Sequence, residues 1–275
     1  MAEITAAAVK ALRETTGLPM MECKKALTEA NGDQEAAIEL LRKAGKKTME
    51  KRVGRETAFG RIAVFADIAG KAGAIVDLRC ESASVASHAE FIQLADGLAK
   101  QLATGPGAET AEALLEQPSP SMAGKTLKEQ FDELNNRIRE VFKVERFERL
   151  EGPTGGYVHH NGATGVLLQV EGGNAELAKD VCMHVAAMRP TVVGVDNLDP
   201  VVVAKEREIL SAAARSEGKP ENIIDKMVDG RMRNFYAEQC LAEQPFVKDD
   251  SKTVGQVAKE AGMKLVRFVH WELAK

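Results

Sequence analysis

The chain has 275 residues, 44% of them hydrophobic, which is sufficient for one large domain or two to three small ones without disulfide or metal staples. Its 37 Lys and Arg are outnumbered by 41 Asp and Glu, and the net charge of -4 argues against a general binder of nucleic-acid backbones. No stretch approaches the ~18 apolar residues of a membrane span, and the amphipathic N-terminus lacks the apolar core of a signal peptide. We therefore expect a soluble, cytoplasmic chain whose partners are proteins or small molecules.

The first fifty residues predict three short helices. Thr5 is placed to cap the first helix, and Pro19 suits the first turn of the second. Asp33 can cap a third helix, which we expect to end near Gly45. Together they predict a compact three-helix domain over residues 1–50.

The segment that follows, Arg42–Arg55, is rich in Lys and Arg but contains no aromatic residue. Nucleic-acid interfaces usually combine such charges with aromatic side chains on which bases stack. We therefore interpret this segment as a solvated helix end and a tether between domains, and not as a nucleic-acid site.

Beyond the tether, two blocks of strands and helices predict an α+β core. The stretches FGRIAVFADI and AGAIVDLRC have strand character, and helical patterns follow over 87–104, 108–116 and 123–140. This block, 56–150, is the first predicted subdomain.

The second predicted subdomain joins residues 151–199 to 263–275. Strand patterns in KVERFERLEG, GGYVHHNG, TGVLLQVEG and TVVGVDN surround a helix near 175–188, and MKLVRFVHWELA should return to this core as a strand. Residues 200–240 predict an antiparallel helical hairpin that turns at Gly218-Lys219-Pro220, and 241–262 a C-terminal module.

Candidate sites for covalent or metal chemistry are weak. His88 and Glu90 imitate half of a zinc-deaminase motif, but the PCxxC half is missing. Cys182 and His184 lie two apart in a predicted helix and so face different directions. The four cysteines are widely spaced and are expected to be reduced, and the glycine-rich turns form no phosphate-binding motif. We predict no metal, no cofactor and no catalytic residue.

The stretch TGLPMMECKKAL places Leu18, Met20 and Met21 in the turn between the first two helices. A turn fixed by proline that presents adaptable methionines suits a contact surface for another protein. The alternative is that both methionines pack inward.

Several motifs, in order along nearly the whole chain, resemble the elongation factor Ts family. They are LRETTGLPMMECKKALTEANGDQEAAIELLR, LRCESASVASHAEF, YVHHNGATGVLLQVEG, MHVAAMRP, GKPENIIDKMVDGRMRNF and QPFVKDDSKTVGQ. The resemblance implies a UBA-like N-terminal domain, a core of two α+β subdomains, an inserted helical hairpin and a C-terminal module. It also implies that the chain binds elongation factor Tu, GDP-bound and nucleotide-free, and promotes exchange of GDP for GTP.

The chain departs from the family at its central motif. The family usually has Thr-Asp-Phe-Val where this chain has Ser82, Ala83, Ser84 and Val85. In the family the Phe wedges between helices of the partner and disturbs its magnesium and phosphate site, which Ala83 and Ser84 cannot do. His159 or His160 resembles a histidine that the family presents to the same partner, and which of the two corresponds stays open.

The resemblance therefore leaves two functions to consider. One is exchange by contacts through Leu18, Met20, Met21, residues 82–85, and His159 or His160. The other is a divergent relative that binds elongation factor Tu as a scaffold or chaperone with weak or no exchange. The sequence leaves homodimer formation and the role of the helical hairpin open.

Overall fold

The computed structural model describes residues 4–52, 54–218 and 220–273, and the chain folds as an α+β protein with small antiparallel sheets. The fold divides into two compact units. Within the described residues, the first unit runs to Ala63, resumes over Val76–Phe147 and includes Leu273. The second unit comprises Val64–Ile75 and Glu148–Glu272. None of the helices in the described part is both long and apolar enough to cross a bilayer.

The N-terminal domain consists of the predicted three helices, α1 (Ala6–Thr16), α2 (Met20–Glu29) and α3 (Gln34–Glu50). The Thr5 hydroxyl caps α1 by accepting the Ala8 N–H at 3.2 Å, as its position in the sequence predicted. Asp33 caps α3 in the same way, through two backbone N–H groups. The buried core of this domain consists of Val9, Leu12, Leu18, Cys23, Ala26, Leu27, Ala37 and Leu41.

Gly45 does not end the third helix, so that prediction was wrong. Helix α3 continues to Glu50 and includes much of the segment that we interpreted as a tether. A Cβ atom at position 45 would collide with the side chain of Asn136. Gly45 therefore allows close approach of another helix, a use of glycine that only tertiary structure reveals.

The strands β1 (Phe59–Phe65), β2 (Ala72–Cys80) and β3 (Lys143–Glu151) form one sheet in that order. Between β2 and β3 the chain forms a short helix and three further helices, α4 (Ala83–Ala86), α5 (Ala89–Thr104), α6 (Ala111–Leu115) and α7 (Leu127–Ile138). Helix α5 is the most buried of them, and its Phe91 packs edge-on against Phe142 with ring centroids 5.0 Å apart.

A second sheet has the order β4-β5-β8, from β4 (Thr154–Val158), β5 (Thr164–Gly172) and β8 (Met263–Glu272). Strand β5 is central and pairs antiparallel with both neighbours, so the last predicted strand does return to this core. Helix α8 (Ala175–Met188) packs on the sheet through Ala178, Val181 and Val185. A small β6 (Pro245–Phe246) and β7 (Asp249–Thr253) hairpin precedes α11 (Val254–Glu260).

The predicted helical hairpin is present as α9 (Pro200–Ser216) and α10 (Glu221–Gln239). Its small core contains Ala214, Ile224, Val228 and Met232, and Lys219 of its predicted turn lies outside the described residues. The predicted strand TVVGVDN is absent: Val192 makes only an isolated bridge to Cys240, and Val195–Asn197 is a 3-10 turn. The segment has β-branched residues, but it pairs with a neighbour only through that one bridge and so forms no ladder.

Candidate functional site

The apolar turn, Leu18–Met21, divides its side chains between the core and the solvent. Leu18 is 5% exposed, and its carbonyl accepts a hydrogen bond from the thiol of Cys23. Met20 is 41% exposed and Met21 73%, so neither methionine packs inward. Leu18 thus stabilises the domain, and of the three predicted contact residues in this turn only the methionines are exposed.

The central segment, Ser82–Val85, includes most of a short helix. Ser82 precedes α4, the single turn of helix formed by Ala83–Ala86. Ala83 and Ser84 are exposed on this turn, whereas Val85 is buried beneath it. The outward face of the central segment therefore carries only a methyl group and a hydroxyl group.

Two glutamates hold the central segment by a reciprocal exchange of hydrogen bonds. Glu140 accepts the Ser82 backbone N–H at 3.0 Å and the Ser82 hydroxyl at 2.6 Å. Glu81 in turn accepts the backbone N–H of Val141 at 2.7 Å. Each glutamate carboxylate thus binds the residue that follows the other glutamate in the sequence. We call this arrangement the glutamate clamp. It joins the start of α4 to the connection between α7 and β3.

The surroundings of the clamp favour a charged Glu81. Partial burial acts to raise the pKa of Glu81, but the Val141 N–H and the Arg55 guanidinium together outweigh it and hold the pKa below its usual value. Beneath the segment, burial raises the pKa of the Cys80 thiol to about 12. That thiol donates to the carbonyl of Ser82 at 3.2 Å, so it stays protonated and serves as a structural donor.

The histidine turn, His159–Ala163, connects β4 to β5. The His159 N–H donates to the Thr164 carbonyl at 2.9 Å, and the Gly162 N–H donates to the His159 carbonyl at 2.7 Å. These bonds close the turn and place His159 at its base, half-buried, while His160 is exposed. The two imidazole rings lie against each other with centroids 4.2 Å apart.

Tyr157 extends the histidine turn towards the core of the second unit. Its ring packs partly buried on the apolar cluster of that unit, and its hydroxyl oxygen lies 2.9 Å from Nδ1 of His159. Because alternate residues of a strand share a face, the Tyr-x-His spacing is a signal in the sequence from which this contact could have been predicted.

The other candidate residues, His88, Cys182 and His184, make contacts that stabilise the fold. His88 accepts the Glu90 N–H and so caps α5. His184 is fully buried, with Nε2 2.8 Å from the Gln244 side chain, and burial lowers its pKa although that hydrogen bond opposes the shift. Burial raises the pKa of Cys182, which favours the thiol over the nucleophilic thiolate. In the described ranges no three His, Cys, Asp or Glu side chains are arranged to hold a metal ion.

The predicted contact residues therefore fall into two groups. The apolar turn and the central segment belong to the first unit, and the histidine turn belongs to the second. Glu81, Glu140 and Tyr157 were not among the residues predicted from the sequence. Nothing in the local sequence pairs Glu81 with Glu140, since the clamp joins residues about sixty positions apart.

Comparison with known proteins agrees with the fold. The model of the family "Elongation factor TS" matches residues 81–275, more than half of the chain. The elongation factor Ts of Thioalkalivibrio sulfidiphilus is 44% identical over 275 residues, covering 99% of this chain and 92% of that protein. The elongation factors Ts of Methylococcus capsulatus and Clostridium botulinum strain Eklund 17B are 45% and 42% identical, with 99% and 98% of this chain and 92% of each protein covered. The chain therefore belongs to the elongation factor Ts family of translation elongation factors.

Proposed function

We propose that this protein binds elongation factor Tu in the cytoplasm and promotes the release of GDP, so that GTP can bind. The observation that carries the proposal is the similarity to proteins named elongation factor Ts over 99% of this chain and 92% of the relative. The exposed Met20, Met21 and His160 are suited to contact with a protein surface.

The proposed mechanism needs no covalent step. If the protein binds nucleotide-free elongation factor Tu more tightly than the GDP complex, thermodynamic linkage requires that it weaken GDP binding by the same factor. A factor of about 1000 corresponds to roughly 4 kcal/mol of difference between the two complexes. Contacts that shift the magnesium and phosphate elements of the partner would supply that difference.

Each surface has a distinct part in this proposal. The methionines of the apolar turn would anchor the N-terminal domain on the partner, because flexible thioethers adapt to an irregular apolar surface. The central segment and the histidine turn would act at the nucleotide site. Since Ala83 and Ser84 present so little surface, we assign the larger share of that action to the histidine turn.

A second function is favoured by the central segment alone. An inserted Phe at this position would be worth ~2 kcal/mol as a buried anchor, and Ser84 cannot provide it. A chain without that anchor could bind elongation factor Tu as a scaffold or chaperone and leave GDP release nearly unchanged.

The deciding experiment follows release of a fluorescent GDP analogue from cognate elongation factor Tu, with the native chain and with Ala83→Asp/Ser84→Phe. The two single variants serve as controls. Strong acceleration by the native chain supports exchange. Acceleration by the double variant alone, with native binding intact by calorimetry, supports the scaffold function and contradicts exchange.

A further inference from the structure

Tyr157 is held more firmly than a residue beside an exposed turn needs to be. It is the fourth residue of β4, paired in register with Val166 of the central strand, and its ring packs against the buried cluster of the second unit. A ring anchored at both backbone and side chain is a rigid support for its hydroxyl group.

The hydroxyl of Tyr157 is used for one side-chain contact, with Nδ1 of His159 at 2.9 Å. A phenol is the stronger acid of the two groups, and a neutral imidazole nitrogen is the stronger base. The favourable arrangement is therefore donation from the tyrosine to Nδ1. That arrangement requires the remaining proton of a neutral His159 ring to be on Nε2.

The surroundings of His159 then determine where Nε2 is directed. Nδ1 faces Tyr157, which lies on the core side, and the His160 ring lies beside the imidazole, tilted by 55° with 4.2 Å between centroids. Among the described residues, none forms a hydrogen bond with Nε2 of His159. The ring nitrogen of His159 that no described residue bonds is thus an N–H donor.

We propose that Tyr157 is a positioning residue that selects the Nε2–H form of His159 and directs this donor at a hydrogen-bond acceptor, a carbonyl or carboxylate oxygen, on the partner protein. The inference rests on the proposed function for the identity of the partner. The inference adds Tyr157 to the residues that act at the histidine turn, and it specifies that His159 donates the hydrogen bond to the partner.

The first test measures the His159 ring directly. Selective 15N labelling of the five histidines and a long-range 15N–1H correlation experiment report which ring nitrogen carries the proton. We expect the Nε2–H form in the native chain and a mixture of forms in Tyr157→Phe. The control is Tyr236→Phe, since Tyr236 is the other of the two tyrosines and lies in α10. An unchanged His159 signature in Tyr157→Phe would overturn the inference.

The second test is a double-mutant cycle on GDP release from elongation factor Tu. Loss of one hydrogen bond predicts release about fivefold slower with Tyr157→Phe and unchanged with Tyr236→Phe. In a His159→Ala background, Tyr157→Phe should have no further effect. Independent, additive effects would show that Tyr157 does not act through His159.

The two tests also distinguish a failure of the proposed function from a failure of the positioning role of Tyr157. If the native chain does not accelerate GDP release, the proposed function fails, and the NMR experiment still decides whether Tyr157 selects the ring form. If the native chain accelerates release and Tyr157→Phe does so equally well, only the positioning role fails. Equal thermal unfolding midpoints for the two tyrosine variants exclude loss of folding as the cause.

Discussion

The central segment and the histidine turn differ both in the side chains that they present and in the interactions that hold them in place. The central segment is held by side chains, through the glutamate clamp, and presents only Ala83 and Ser84. The histidine turn is held by the backbone bonds of a hairpin and presents two imidazole rings. A rigid support is thus present at both places, but only the histidine turn offers large side chains that can bind a partner through hydrogen bonds.

This difference indicates that a contact surface can retain its scaffold after its contact side chains have changed. The glutamate clamp bonds the backbone N–H and the hydroxyl of Ser82. The backbone bond needs no side chain at residues 83 and 84, whereas the Ser84 hydroxyl lies 3.1 Å from that of Ser82. Substitution there costs little stability, because both side chains are exposed. The partner-binding role of both surfaces remains a prediction, and the following measurements test how far they differ.

The largest effect is expected from His159→Ala. If the histidine turn makes the dominant contact, GDP release from elongation factor Tu should become about 30-fold slower, the equivalent of ~2 kcal/mol for a hot-spot residue. Ser84→Ala is the matched change in the central segment and should alter release by less than about twofold. Stopped-flow fluorescence measures both, and the reverse order of effects would reject the assignment of the larger share to the histidine turn.

Glu140→Ala should destabilise the protein by about 1.5 kcal/mol, because it leaves the N–H and hydroxyl of Ser82 without their shared acceptor. Urea unfolding followed by circular dichroism measures this loss. Glu109→Ala removes an exposed carboxylate elsewhere in the first unit and should change the midpoint little. Equal midpoints for the two variants would mean that the clamp does not hold the central segment.

The clamp also predicts a specific response to acid. Because the pKa of Glu81 is lowered in the folded state, its contribution is present above the unfolded value near 4.3 and is lost as pH falls through the folded pKa. Native protein should therefore exceed Glu81→Gln in unfolding free energy by about 1 kcal/mol at pH 7, and this gap should close towards pH 3. A gap that stays constant from pH 7 to pH 3 contradicts a charged clamp.

The smallest effect is expected at the apolar turn. Met21→Ala should weaken binding of nucleotide-free elongation factor Tu about threefold, since one exposed thioether contributes a modest apolar contact. Met188→Ala is the control, because Met188 is also exposed, at 47%, but belongs to the second unit. Calorimetry that finds both variants equal to the native chain would remove the apolar turn from the proposed interface.

Sequence patterns were most successful where structure is local. Thr5 and Asp33 cap the helices that they were predicted to cap, because a capping hydrogen bond spans only two or three residues. The alternating pattern of the last strand likewise predicted β8. Gly45 was misinterpreted as a helix end because the close approach of Asn136 lies outside any local pattern.

The candidate site could be predicted only in part. The methionines, the central segment and the histidines were identified from their motifs, and the structure then separated Leu18, which is buried, from the exposed Met21. Hydropathy cannot make that separation, since both residues are apolar and stand in the same turn. The contact of Tyr157 with His159 could have been predicted from the two-residue period of a strand, whereas the role of Glu140 could not.

The sequence by itself determined most of the element types, the family and the identity of the side chains that can meet a partner, because these depend on residue order and short-range hydrogen bonds. Only the tertiary structure decided which of those side chains face solvent and what holds them in place. Glu81 and Glu140 exchange backbone partners across about sixty residues, and the Tyr157 ring needs the core of the second unit behind it. Such contacts form when distant segments pack together, and no local pattern encodes them.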